Sequence, residues 1–104
     1  ARATGDLREI TGAAYPQMVH KFLTHSEERL KGIREAISKR ELEQLARQCH
    51  SFRGVAGTFG AGRLTDICTE LEKLATEKAE SGFEELARAA EEEFARVKIA
   101  MEKA

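Results

Sequence analysis

The chain has three histidines, and only one of them has neighbours that suggest chemistry. His20 and His25 are five residues apart, whereas two metal ligands on one helical face need a spacing of three or four. We therefore interpret both as ordinary surface or boundary histidines. His50 differs, because a cation and two glycines follow it within about two helical turns: Arg53, Gly54 and Gly57.

The hydrophobic pattern around His50 places it at the edge of the buried face of a helix. At about 100° per residue, His50 lies about 100° and Gly54 about 140° from Cys49, the centre of the apolar stripe. The imidazole is therefore expected to face water. A glycine inside a helix costs roughly 1 kcal/mol relative to alanine, and close helix packing, the alternative explanation, does not suit a residue that points away from the core. We interpret Gly54 as a position whose missing side chain leaves space for another macromolecule to approach the ring.

An exposed imidazole of this kind is a candidate nucleophile. Histidine is largely neutral near neutral pH, which leaves one ring nitrogen with a free lone pair. Arg53, one turn further on, is placed to hydrogen-bond an anionic group attached to that nitrogen. Together with the clearance at Gly54, these features predict a phosphorylatable histidine.

The rest of the sequence predicts helices only, because Ala, Leu, Glu, Lys and Arg dominate and no long stretch alternates apolar and polar residues. Four amphipathic stripes with short connections favour antiparallel neighbours. We expect one all-α domain over residues 1–104, an antiparallel up-and-down four-helix bundle. Residues 6–10 are a candidate for a short extra N-terminal helix. The four helices are expected at roughly 16–37, 40–59, 63–79 and 83–102.

Composition excludes several classes of function. The net charge of −1 gives no bulk attraction to nucleic acid or to an anionic membrane. No apolar run approaches the ~20 residues that cross a bilayer, so a cytoplasmic location is expected. The sequence has no Gly-rich phosphate loop after a strand and no Ser/His/Asp arrangement. Helix geometry separates Cys49 from Cys68 by more than a disulfide spans, so both are expected to be buried free thiols.

Charge is unevenly distributed along the chain. Residues 29–63 contain eight basic and three acidic side chains, whereas residues 70–93 contain nine glutamates and three basic side chains. We interpret both stretches as solvated helix faces, and an acidic partner for the basic stretch is the alternative.

The run from Cys49 to Leu64, CHSFRGVAGTFGAGRL, followed by Cys68 and Leu71-Glu72, resembles the signature of histidine-containing phosphotransfer (HPt) domains of bacterial phosphorelays. That family usually reads His-Ser/Thr-Leu-Lys-Gly, then small residues, Gly-Ala, Leu and finally Leu-Glu. Phe52 replaces the usual leucine and Arg53 the usual lysine, and both keep the chemical type. The part around Cys68 is more similar to hybrid sensor kinases, whereas the run from Gly57 to Gly60 resembles chemotaxis kinases; we prefer the former.

The resemblance implies that His50 accepts the phosphoryl group, Arg53 stabilises it and Gly54 gives clearance. A receiver domain phosphorylated on aspartate would dock on the second helix, and a second receiver would take the group from His50. No cofactor is expected in this chain, because Mg²⁺ belongs to the receiver. We expect a monomer without kinase activity, with a covalently linked sensor kinase as a further candidate partner. Candidate partner-contacting residues are Arg47, Ser51, Gly54 and Gly57.

Other functions stay open at this stage. The chain could be a docking bundle that binds receivers without carrying phosphate, or the phosphotransfer domain of a chemotaxis-type kinase. A dimerising kinase domain that phosphorylates itself needs an adjacent ATP-binding domain and usually a proline after the histidine motif. The sequence contains neither.

Overall fold

Four helices make up the computed structural model, which describes residues 14–103. They are α1 (Tyr15–Lys39), α2 (Leu42–Thr58), α3 (Gly62–Thr76) and α4 (Phe83–Lys103). No strand occurs within this range, so the predicted all-α four-helix class is confirmed. The candidate helix over residues 6–10 lies outside the described residues. Among residues 14–103, none of the helices combines the length and the apolar character that a membrane span requires.

Neighbouring helices run antiparallel, as the contacts between α1 and α2 show. Phe22 stacks on Phe59 with ring centroids 4.5 Å apart, and further along α1 Arg29 donates a hydrogen bond to Ser51. Residue numbers therefore rise along α1 as they fall along α2. Short turns of this kind force antiparallel neighbours.

The turns use left-handed backbone at a few positions. Gly60, between α2 and α3, has φ 77°, and Gly82, just before α4, has φ 99°; glycine adopts this region without the strain that a Cβ would add. Arg40 also has positive φ, 52°, and its backbone N–H bonds the carbonyls at the end of α1. These three residues separate the helices where the hydrophobic periodicity breaks.

The core runs between all four helices and fixes how each is rotated. Fully buried or almost fully buried side chains come from every helix, among them Ile33, Leu45, Phe52, Leu64, Leu71 and Ala90. Cys49 and Cys68 belong to the same core and are free thiols, as the spacing predicted. Burial raises the pKa of each thiol to about 12, so neither is a reactive thiolate.

Ion pairs within and between helices neutralise part of the uneven charge. Five of the eight basic residues between positions 29 and 63 pair with a glutamate. On the α1–α4 side, Arg34 pairs with Glu91 at 2.8 Å and Glu27 pairs with Lys98 at 3.2 Å, which again indicates antiparallel helices. Three of those five, Arg34, Arg53 and Arg63, pair with glutamates of the acidic stretch on another helix, and the other two pair within their own helix.

Candidate functional site

The rotation of α2 exposes His50. Cys49, Phe52 and Ala56 are fully buried and lie on one face of the helix. His50 follows Cys49 by one residue, so its side chain leaves the helix at the border of that face. The imidazole is 64% exposed. The core thus holds the ring at the surface without covering it.

One ring nitrogen of His50 is occupied by two charged neighbours. Its Nδ1 atom lies 3.0 Å from Oε2 of Glu72 on α3 and 3.1 Å from Nη2 of Arg53, one turn further along α2. Within residues 14–103, Nε2 forms no hydrogen bond. The ring is therefore anchored through Nδ1 and presents Nε2 to its surroundings.

Glu72 also holds Arg53. Nε of Arg53 lies 3.0 Å from Oε1 of Glu72, but this nitrogen is buried and its N–H is not directed at an acceptor. The pair is electrostatic rather than hydrogen-bonded. Glu72 is only 25% exposed and Arg53 37%, so solvent screens their attraction less than it screens most surface pairs. The predicted phosphate-stabilising cation thus contacts the ring and a carboxylate in the unphosphorylated protein.

Gly54 has no packing role in the described structure. A Cβ built on it would meet nothing within 4 Å, and the residue is exposed. A Cβ on Gly57 would make an ordinary contact of 3.8 Å with Thr65. Gly32 on α1 is different, because its Cβ would come 2.6 Å from Oε1 of Gln48. Gly32 is therefore the glycine of this helix pair at which a Cβ would displace a neighbouring side chain, and sequence analysis did not single it out.

The remaining predicted partner-contacting residues, Ser51 and Arg47, form hydrogen bonds with residues other than His50. Ser51 is exposed, and its Oγ accepts a 2.7 Å hydrogen bond from Nη1 of Arg29 on α1. Arg47, one turn before His50, is exposed and bonds Glu43 and Gln44 on its own helix. The structure thus gathers His50 and Arg53 into one cluster and leaves Arg47 outside it.

Two contributors to the site were missed at the sequence level. Glu72 entered only as part of the Leu-Glu end of the motif, with no role, and Arg29 was not considered. A register argument could have found Glu72, since it and His50 are equally far from Ala61 in an antiparallel pair of helices. The same argument applies to Arg29, since it and its partner Ser51 are equally far from Arg40, the turn residue between α1 and α2.

Grooves lie on either side of α2 next to His50. On the α1 side, an open groove has an apolar floor of Met18, Phe22, Val55 and Phe59 and a rim that includes Lys21, His25 and Arg29. On the α3 side, Arg53 and Glu72 border a second groove with Thr69, Lys73, Thr76 and Glu77. Within residues 14–103 no group of three or more potential metal ligands occurs.

This arrangement, an exposed histidine with a nearby cation on a four-helix bundle, is the one expected of a phosphotransfer domain. The family model of the Hpt domain matches residues 17–101. The chain belongs to the Hpt domain family, and its activity is histidine phosphotransfer in a phosphorelay. Receiver domains are the partners of Hpt domains.

Among solved structures, the chain is similar to histidine-containing phosphotransfer protein B from Pseudomonas aeruginosa PAO1. The TM-score is 0.95 and the sequences are 31% identical, over 98% of this chain and 89% of that chain. A comparison with curated protein sequences gives no significant match.

Proposed function

We propose that His50 is the phosphoacceptor and that its Nε2 atom takes the phosphoryl group from the aspartyl phosphate of a receiver domain. The observation that carries this proposal is the asymmetry of the ring. Nδ1 is engaged by Glu72 and Arg53, whereas the imidazole as a whole is 64% exposed. A nucleophile must reach the phosphorus atom directly, so the unengaged nitrogen is the one that reacts.

The transfer step needs no additional acid or base. The lone pair of Nε2 attacks phosphorus, the bond between phosphorus and the aspartyl oxygen breaks, and the aspartate leaves as a carboxylate. Nδ1 keeps its proton and donates it in a hydrogen bond to Glu72, whose charge offsets the positive charge gained by the ring. In the second transfer, an aspartate of another receiver attacks phosphorus, and the bond to Nε2 breaks.

Arg53 is proposed to stabilise the phosphoryl oxygens during both transfers. Phosphoryl transfer has little covalent chemistry for a protein to assist, so positioning and charge neutralisation dominate. A guanidinium one turn from the nucleophile supplies a charge-assisted hydrogen bond. Mg²⁺ is proposed to be held by the receiver, where it would neutralise further charge, and no cofactor is assigned to this chain.

The exposed side of α2 is the proposed docking face. Ser51, Gly54 and Gly57 lie along it around His50, and Arg47 extends it by one turn. Gly54 supports this assignment, because the open space above it is not needed for packing. The apolar groove next to it, with its basic rim, suits a partner that carries a phosphorylated acidic site.

The protein is proposed to act as a monomer. Four amphipathic helices close one core, and among the described residues Ile99 is the large hydrophobic side chain that stays exposed, at 55%. We further propose a cytoplasmic location without membrane or nucleic-acid contact, and a covalently linked sensor kinase as a partner. The near-neutral net charge supports the former, and the resemblance to hybrid kinases supports the latter.

Transfer from labelled receivers tests the proposal. Receiver domains phosphorylated with radioactive phosphate are incubated with the chain, and the label on the chain is followed in acid and in alkali. The expected result is acid-labile, alkali-stable label that passes on to a second receiver, and none with ATP alone. A complex that forms with a phosphorylated receiver but acquires no label would identify a docking module instead.

A further inference from the structure

Nδ1 of His50 has two hydrogen-bond neighbours that require opposite protonation states of this nitrogen. A carboxylate such as Glu72 only accepts hydrogen bonds, so its 3.0 Å contact requires a proton on Nδ1. A guanidinium such as Arg53 only donates, so its 3.1 Å contact requires a lone pair on Nδ1. In a neutral imidazole the two hydrogen bonds are therefore alternatives.

The choice between them decides whether Nε2 can react. A neutral imidazole carries one proton. When Nδ1 holds it and donates to Glu72, Nε2 has a lone pair and is nucleophilic. When Nδ1 accepts from Arg53, the proton lies on Nε2, which cannot attack phosphorus. Glu72 thus favours the nucleophilic tautomer and Arg53 opposes it.

We propose that Arg53 and Glu72 compete for Nδ1, and that Arg53 holds part of the population in the non-nucleophilic tautomer until a phosphoryl group draws the guanidinium away. Arg53 would then be a positioning residue as well as a phosphate ligand. The release step rests on the function proposed above, because it needs a phosphoryl group close to His50. The competition itself does not, since both contacts exist in the unphosphorylated chain.

The contacts of Arg53 suit a release of this kind. Its Nε makes no hydrogen bond to Glu72 despite their proximity, so the bond from Nη2 to Nδ1 is the one that orients the guanidinium. Losing that bond leaves Arg53 close to Glu72 and still charged. An incoming phosphoryl oxygen can replace Nδ1 as the acceptor, because it forms a charge-assisted bond with the same donor.

Nitrogen-15 NMR of the histidine ring measures the competition directly. In mildly alkaline buffer, the ring shifts report the ratio of the Nδ1–H to the Nε2–H tautomer of His50. Arg53→Met should raise this ratio about three- to tenfold, the scale of one hydrogen bond. Glu72→Gln should lower it. Arg47→Met is the matched control, one turn away on the same helix, and should leave the ratio unchanged.

Two results would overturn the competition: an unchanged or lower ratio in Arg53→Met, or a wild-type ring that is already wholly Nδ1–H. The release step is tested with a receiver that donates phosphate to this chain, now carrying beryllofluoride as a stable mimic of aspartyl phosphate. Once backbone signals of α2 show that the complex has formed, the ratio should rise in the wild type and not in Arg53→Met. An unchanged wild-type ratio in that complex would overturn the release step.

The inference and the proposed function fail in different measurements. If His50 is labelled but the tautomer ratio is the same in Arg53→Met as in the wild type, the inference is wrong and the proposed function stands. If the ratio responds to Arg53 and Glu72 but His50 never acquires label, the tautomer competition stands and the assigned phosphoacceptor is wrong.

Discussion

At the scale of single residues, the site depends on one half-buried carboxylate. Glu72 is 25% exposed and lies within 3.0 Å of both the His50 ring and the Arg53 guanidinium. It is thus placed to orient the ring and to favour a proton on Nδ1, and in the proposed phosphorylated state it would balance the charge of the imidazole. Arg53 carries the opposite charge and contacts the same ring nitrogen, Nδ1.

Replacing Glu72 by Gln is expected to slow phosphate acceptance by roughly tenfold, the scale of one hydrogen bond to a charged group. The amide keeps the shape of the side chain but removes its charge and its strict preference for a protonated Nδ1. The measurement is single-turnover transfer from a phosphorylated receiver. Glu70→Gln, at an exposed position on the same helix, is the control and should transfer at the parent rate. Equal rates in both variants would remove Glu72 from the mechanism.

Arg53→Ala is also expected to slow transfer by roughly tenfold. Losing a charge-assisted hydrogen bond to the phosphoryl group costs about ten- to a hundredfold, and the larger fraction of nucleophilic tautomer offsets part of that loss. Arg53→Lys should be nearly silent, because one phosphoryl oxygen needs a cation rather than a planar fork. An alanine variant that transfers as fast as the parent would refute a direct role for Arg53.

At the scale of the element, α2 positions the site by burying one face and leaving the other bare. Cys49 and Phe52 fix its rotation in the core, and Gly54 leaves the backbone open one turn beyond His50. Gly54 is an interior helix residue without a packing contact. The low helix propensity of glycine at this position therefore destabilises α2, and no packing contact in the free domain compensates for that loss.

Substitutions at Gly54 should separate stability from transfer. Gly54→Ala should stabilise the domain by ~0.5 to 1 kcal/mol, and Gly54→Leu should do nearly as well. Leucine would nevertheless stand in the path of the receiver, and a displacement of about 1 Å in the reacting atoms can cost a hundredfold in rate. Urea denaturation and transfer kinetics measure both effects.

Gly32, the glycine on α1 whose Cβ would meet a neighbouring side chain, is the control for the Gly54 substitutions. Gly32→Ala should gain less stability than Gly54→Ala, because its Cβ would come 2.6 Å from Gln48 and displace that side chain. If Gly54→Leu has a lower melting temperature than the parent, Gly54 is a packing residue and its interpretation as an open position is wrong. If it is more stable and transfers normally, the receiver approaches His50 from another side.

The helices themselves were within reach of sequence analysis, and so was the exposure of His50. Both follow from periodicity, because the spacing of Cys49, Phe52 and Ala56 fixes which side of α2 faces the core. The proximity of Arg53 to the ring was also within reach, because it lies one turn from His50 on the same helix. Glu72 and Arg29 come from other helices, and periodicity within one helix does not specify them. Antiparallel register brings each of them opposite α2, but the hydrogen bonds of Glu72 to His50 and of Arg29 to Ser51 depend on side-chain packing between the helices.

At the scale of the whole molecule, ion pairs connect neighbouring helices across the outer surface of the bundle. Arg34 on α1 hydrogen-bonds Glu91 and Glu84 on α4. The hydrogen bond from Arg34 lowers the pKa of Glu91 below its ordinary value of 4.5. The uneven charge along the sequence, which suggested solvated faces, thus partly reflects pairing between helices that are distant in the chain.

This pair should give the stability of the domain a dependence on acid pH. A glutamate whose pKa is lower in the folded state contributes stability above its unfolded pKa, and that contribution is lost as the pH falls through the folded pKa. Because Glu91 is 38% exposed, the contribution should stay below about 1 kcal/mol. Urea denaturation from neutral pH downward should therefore show a shallower acid-side decline for Glu91→Gln than for the parent. Glu92→Gln, which alters an exposed neighbour, should keep the parental profile, and identical profiles for all three proteins would refute the pairing.

The central claim, that His50 is the residue phosphorylated, is tested most directly by labelling single histidine variants. The parent, His50→Gln, His20→Gln and His25→Gln are each incubated with the same phosphorylated receiver, and acid-labile label is quantified beside the melting temperature. We expect His50→Gln to lose all label while melting close to the parent, because its ring is 64% exposed and adds little packing. His20→Gln and His25→Gln should be labelled like the parent. Label that persists in a folded His50→Gln protein and disappears in either of the other two would contradict the account.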